Sequence, residues 1–238
     1  MRGFSVTEYN QDVEHLNSCV ANHLENILVD LCRKQEKVVF GLCGGRSVGA
    51  IFELLGRIEK NIPWNKVHFF MVDERLVPVD NAESNYKLAA DILLNPLKEK
   101  GLIADANCHP FNLDKTSPDF GVQKYSEELA SFGGKFDLAI LSGGEDGHIG
   151  AIYPNHHSFD DESDIYMFMT DSPKPPPGRM SASRKLMLKT NSAILLVIGD
   201  SKADLFKRLN DGSVEAKGCP AKLVTQLTQS YLITTHKD

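Results

Sequence analysis

The chain has 238 residues, 42% of them hydrophobic, which is enough to bury a sizeable core and excludes disorder over most of its length. Its 26 basic and 32 acidic residues give a net charge of −6, and no dense basic run marks a nucleic-acid or anionic-membrane footprint. Any bound anion is therefore expected to be small and held locally. Cys19, Cys32, Cys43, Cys108 and Cys219 are scattered and form no C-x-x-C pair, so neither a disulfide framework nor a structural zinc site is indicated. Met1 to Asn10 lacks a basic region followed by an apolar core, and no apolar stretch reaches the length of a membrane span. The expectation is a soluble cytoplasmic protein with reduced thiols.

Between Asp12 and Leu31, the residues Val13, Leu16, Val20, Leu24, Ile27, Leu28 and Leu31 recur at helical spacing and predict an amphipathic packing helix. Lys37 to Leu42 is a β-branched run that breaks into Cys43-Gly44-Gly45-Arg46-Ser47, after which Ile51, Phe52, Leu54 and Leu55 resume a helical pattern. Val67 to Val72 repeats the design, ending in the charged loop Asp73-Glu74-Arg75 and leading to a helix from Tyr86 to Leu97. Leu102 to Pro118 reads as loop, and Asp119 to Ser131 as helix.

The stretch from Phe136 to Pro154 is the most informative. An apolar strand, Phe136 to Leu141, gives way to Gly143, Gly144, Glu145, Asp146, Gly147 and His148. Beyond it, Asp164 to Thr170 is expected as an edge strand, followed by a stiff loop of Pro173, Pro175, Pro176, Pro177 and Gly178 with Arg179 just after it. Ala193 to Ile198 forms another apolar strand closed by Gly199-Asp200-Ser201-Lys202, with a helix through Leu205, Phe206 and Leu209, and Tyr231 to Thr235 forms a last short strand. Strands alternating with helices predict one α/β domain over residues 1–238, a doubly wound and mostly parallel sheet with helices on both faces. Such sheets bind ligands outside the carboxyl ends of their strands, so the four polar loops converge on one crevice.

Each loop has a chemistry suited to that place. Gly44, Gly45 and Ser47 open a helix whose N–H groups and dipole can hold phosphate, but the loop lacks the G-x-G-x-x-G spacing and the Walker lysine of nucleotide sites. Arg75 can fork to phosphate or carboxylate, while Asp73 can act as a base or fix a basic neighbour; an internal ion pair is the alternative for either. Lys202 and Arg179 add positive charge, unless they are ordinary solvated side chains. His148 can take a proton from water, with Asp146 fixing its tautomer. His156 and His157 offer two imidazoles but no obvious further metal ligands, and read as surface residues. No G-x-S-x-G elbow supports a serine nucleophile, which leaves direct attack by water.

Taken together, GGRS before a helix, FFMVDERLVPVDNAESNY, FDLAILSGGEDGHIGAIYP, PPGRMS and VIGDSKADLF resemble the glucosamine-6-phosphate isomerase/6-phosphogluconolactonase family, in the same order and over nearly the whole chain. Arg46 and Val48 depart from the family's usual first loop, and Leu141-Ser142-Gly143-Gly144 from its third. The resemblance implies a Rossmann-like fold of the sugar-phosphate isomerase/lactonase type. It also implies hydrolysis of 6-phosphoglucono-δ-lactone, a phosphorylated sugar lactone, without metal or organic cofactor. It casts His148 as general base, Asp146 as its support, and Gly44, Gly45, Arg46, Ser47, Asp73, Arg75, Arg179 and Lys202 as substrate-binding residues. Deaminases of the family carry a pattern similar to GHI(A/G)FNEP, and Tyr153 stands where its glutamate belongs. A non-catalytic sugar-phosphate-binding regulator is a further reading, although no basic helix-turn-helix pattern accompanies it.

Overall fold

The computed structural model describes residues 3–237, with the side chain of Arg46 excepted. In chain order the elements are β1 (Val6–Tyr9), α1 (Val13–Lys34), β2 (Val38–Leu42), α2 (Arg46–Gly56), β3 (Val67–Met71), β4 (Asp73–Arg75), α3 (Asn85–Ala89), α4 (Asn95–Glu99), β5 (Cys108–His109), α5 (Val122–Ser131), β6 (Leu138–Ser142), α6 (His157–Asp160), β7 (Tyr166–Met169), β8 (Arg179–Ala182), α7 (Arg184–Lys189), β9 (Ser192–Val197), α8 (Ala203–Asn210) and β10 (Gln229–Thr234).

Seven strands form one wholly parallel sheet in the order β1-β10-β9-β6-β2-β3-β5. Every residue of β2 and β9 is buried, as an apolar strand covered on both faces must be. The helices supply the cover. In α1 the Asp12 carboxylate accepts from the N–H groups of Glu14 and His15, capping the helix, and Leu16, Val20, Leu24 and Leu28 turn inward at helical spacing. From β2 the chain winds outward through β3 to β5, and from β6 it winds the other way through β9 and β10. The order reverses between β2 and β6, which pair directly at Phe40–Leu138 and Gly41–Ala139. That reversal sets the loops after β2 and β6 side by side, opening a crevice at their carboxyl ends.

A second sheet, absent from the sequence reading, is antiparallel with the order β4-β8-β7. Its first strand is the charged segment expected as a loop: the chain bends at Val72, leaves the large sheet, and pairs Asp73 with Ser181, Glu74 with Met180 and Arg75 with Arg179. Arg179, expected just outside a loop, is thus a strand residue. The expected edge strand near Asp164–Thr170 is β7, at the margin of this small sheet. Three more differences concern short pieces. The segment read as loop contains β5, β1 adds a parallel edge to β10, and the helix expected from Tyr86 runs from Asn85 to Glu99 through a wider π turn at Ala90–Leu94.

Candidate active site

The crevice is a cavity of about 730 Å³ lined by all four of the polar loops and by the small sheet. Gly44, Gly45, Ser47, Asp73, Arg75, His148, Arg179 and Lys202 all face it, while Asp146 stands behind His148. The Arg46 side chain lies outside the described residues.

His148 is held from two sides. Its Nδ1 is 2.5 Å from Asp146 Oδ1, and its ring lies 4.8 Å from that of Tyr153, centroid to centroid. The loop that carries it is closed by Gly144 N–H donating to the His148 carbonyl at 2.8 Å, and by Arg208 Nη1 donating to the Asp146 carbonyl at 2.6 Å. A β-carbon on Gly144 would collide with the imidazole, so glycine is needed there for the ring to lie back against the chain. Burial opposes ionisation of Asp146, but the hydrogen bond and charge of His148, helped by Lys174 with Nζ 3.9 Å away, outweigh it and bring the carboxyl down to about 2. An ionised Asp146 accepts the proton of Nδ1, which leaves the lone pair on Nε2.

Arg75 and Arg179 bring positive charge to the same cavity. Arg75 and Arg179 are direct partners across β4 and β8. Arg75 Nη1 donates to the Glu83 carbonyl, and its Nε is buried without a hydrogen-bond partner among the described residues. Arg179 gives Nε to the Pro176 carbonyl and Nη2 to those of Pro175 and Lys174, so it also shapes the proline strap. Burial lowers its pKa, partly offset by Tyr153 and Asp73. The first turn of α2 begins at Gly45, which has no side chain with which to cap the helix, and Gly45 and Ser47 line the same end of the cavity.

The charged triplet divides its labour between the cavity and the interior. Glu74 is buried and accepts from the N–H groups of Arg75 (2.8 Å), Asn85 (2.7 Å) and Tyr86 (2.7 Å) and from the Ser84 hydroxyl (3.0 Å). Burial pushes its pKa up while these four donors pull it back. Its carboxylate thus anchors the start of α3 to β4 and presents Asn85, whose Nδ2 donates to the Asp73 carbonyl at 3.0 Å. Asn85 occupies the space that a β-carbon on Gly44 would take. Sequence reasoning did not single out Asn85, Lys174, Ser142 or Glu145 as cavity residues. The segment FFMVDERLVPVDNAESNY does contain Asn85, but only the fold shows that it reaches back to the first glycine loop.

A doubly wound α/β sheet with a histidine–aspartate pair and two arginines at the cavity beside its switch point defines an α/β protein with a polar crevice at the carboxyl ends of its strands. Comparison with known proteins narrows the class. The model of the glucosamine-6-phosphate isomerases/6-phosphogluconolactonase matches residues 11–233, and the chain belongs to that family. It is 28% identical over 229 residues to a 6-phosphogluconolactonase of Borreliella burgdorferi, covering 94% of this chain and 97% of that protein. It is 30% identical over 214 residues to the human GDH/6PGL endoplasmic bifunctional protein, covering 87% of this chain and 26% of that one. Among solved structures, the 6-phosphogluconolactonase of Thermotoga maritima superposes with a TM-score of 0.82 at 26% identity, over 96% of this chain and 98% of that one. No helix among the described residues is long and apolar enough to cross a membrane.

Proposed function

We propose that this chain is a 6-phosphogluconolactonase, hydrolysing 6-phosphoglucono-δ-lactone to 6-phosphogluconate in the oxidative pentose phosphate pathway, with residues 1–238 acting as one catalytic domain. The observation that carries the proposal is the pairing of His148 with Asp146 at 2.5 Å, beside a cavity that Arg75, Arg179 and Lys202 also line. His148 Nε2 takes a proton from water as the water oxygen attacks the lactone carbonyl. The tetrahedral intermediate collapses by breaking the bond to the ring oxygen, which leaves with the proton that the imidazolium returns. A lactone is an activated ester, so a positioned water and one base suffice without a nucleophilic side chain. Arg75, Arg179 and Lys202, with Ser47 and the N–H groups of Gly44 and Gly45, hold the phosphate and place the carbonyl over the base; Arg46 is assigned to that end from the sequence alone. Asp73 belongs to the wall that faces the sugar ring.

The other activity in the family is disfavoured by Tyr153. Its phenol oxygen lies 2.8 Å from Ser172 Oγ, and burial raises its pKa, so no carboxylate stands where the isomerase pattern has one. The five free cysteines accord with a cytoplasmic enzyme. Freshly generated lactone should disappear faster with the purified protein than by spontaneous hydrolysis, while glucosamine 6-phosphate incubated in parallel should release no ammonia. A folded protein giving no acceleration between about pH 6 and 8, where an imidazole base operates, overturns the proposal.

A further inference from the structure

Beyond the cavity, a second group of titratable side chains lies behind Tyr153. His156 and His157 follow a left-handed turn at Asn155 (φ 53°), and their rings are 4.0 Å apart. Asp171 approaches from the start of the proline strap, with both carboxylate oxygens 3.0 Å from His157 Nε2. One ligand atom from each of the three residues lies within 4.8 Å of the others. A tetrahedral zinc ion with metal–ligand bonds of about 2.0–2.2 Å needs its ligands about 3.3–3.6 Å apart. Rotation of two exposed side chains closes that difference, since the side chains of His157 and Asp171 are 60% and 64% accessible.

We propose that His156, His157 and Asp171 form a binding site for a divalent transition-metal ion of the zinc class. Two imidazoles and one carboxylate are borderline ligands suited to zinc, nickel or copper rather than to magnesium or calcium. The ion replaces the proton that His157 Nε2 shares with Asp171. At His156 it takes Nε2; the ring proton moves to Nδ1, which exchanges the bond it accepts from the Ser158 N–H (3.2 Å) for one donated to Ser158 Oγ, 3.0 Å away.

The position gives such an ion a structural consequence. Asp171 begins the strap that brings Lys174 and Pro175 to the cavity wall, and the two histidines closely follow Tyr153, whose ring lies tilted by 48° against that of His148. Next to Asp171, Ser172 Oγ already meets the Tyr153 phenol at 2.8 Å. A bound ion adds a second tie between the same two segments.

The site does not depend on the lactonase reading and is tested without it. Metal-free full-length protein is titrated with zinc chloride by calorimetry and melted with and without zinc, alongside His157→Gln and Asp171→Asn, two exposed substitutions that leave the core untouched. The wild type should take up one equivalent in this site and melt at a higher temperature with zinc. Each substitution should weaken that binding at least about tenfold and abolish the shift. Absence of saturable binding by the wild type, or variants that bind and shift as the wild type does, overturns the proposal.

Discussion

Replacing Gly144 by alanine adds one methyl group, which should cost most of the activity while leaving the fold intact. Gly144 is not among the glycines with positive φ, so alanine is compatible with its backbone, and its N–H bond to the His148 carbonyl (2.8 Å) is unaffected by a side chain. The new β-carbon, however, would overlap the Nδ1, Cε1 and Cγ atoms of His148. The imidazole must swing into the cavity, giving up the 2.5 Å contact with Asp146 that sets its tautomer. A positioned general base contributes about 10²–10⁴ in rate, or about 2.7–5.4 kcal/mol of barrier at 1.36 kcal/mol per tenfold. Gly144→Ala should therefore approach His148→Ala in kcat, with a melting temperature near that of the wild type. The double variant should be no worse than His148→Ala alone, because both changes remove the same interaction. Lactone hydrolysis followed by proton release gives kcat, and thermal melting checks the fold. Gly144→Ala within about threefold of wild-type kcat would refute the claim that the placement of the His148 ring matters.

Three other outcomes follow from different parts of the site. Arg75→Ala should raise KM about tenfold to a hundredfold with kcat little changed, as expected when a charged hydrogen bond to the substrate's phosphate is lost; a fall in kcat alone would place Arg75 at the reacting carbonyl instead. Glu74→Gln should destabilise the fold by about 2–4 kcal/mol in urea melts, because an amide NH2 faces donors that the carboxylate oxygens now satisfy; an unchanged midpoint would show that α3 is anchored by other contacts. His68 is held down at about 4 by burial first, then by the charges of His109 and Lys37, against an ordinary value of 6.5. Between those two values the unfolded chain binds more protons than the native one, so stability falls as pH falls through this window. Comparing urea midpoints at about pH 7 and about pH 5, His68→Gln should lose less stability on acidification than the wild type; an identical loss would remove His68 from the acid response.

The large sheet was legible because its strands are short, wholly apolar and each followed by a break in the pattern: KVVFGL, VHFFMV, FDLAIL and AILLVI correspond to β2, β3, β6 and β9. Once those strands were placed, the rule for such sheets gathered the polar loops at their carboxyl ends, and the pairing of β2 with β6 adds which two lie side by side. The edges were harder to read. Cys108–His109 is a two-residue strand flanked by polar residues, and Val6–Tyr9 alternates between half-buried and exposed positions, so neither produces an apolar run.

The small sheet escaped notice for a different reason, and it bears on how the site works. A strand reading Asp-Glu-Arg violates every pattern by which buried strands are recognised, because it satisfies its charges in three dimensions. Glu74 turns to four donors around the start of α3, Asp73 and Arg75 turn to the cavity, and Arg179 opposite Arg75 turns to the carbonyls of the strap. Two guanidinium groups on adjacent strands repel one another, an arrangement that becomes favourable when an anion lies between them. Placing them on a paired ladder fixes their spacing more firmly than a loop would. The segment least like a strand in sequence is therefore the one that sets Arg75 beside Arg179 at the cavity.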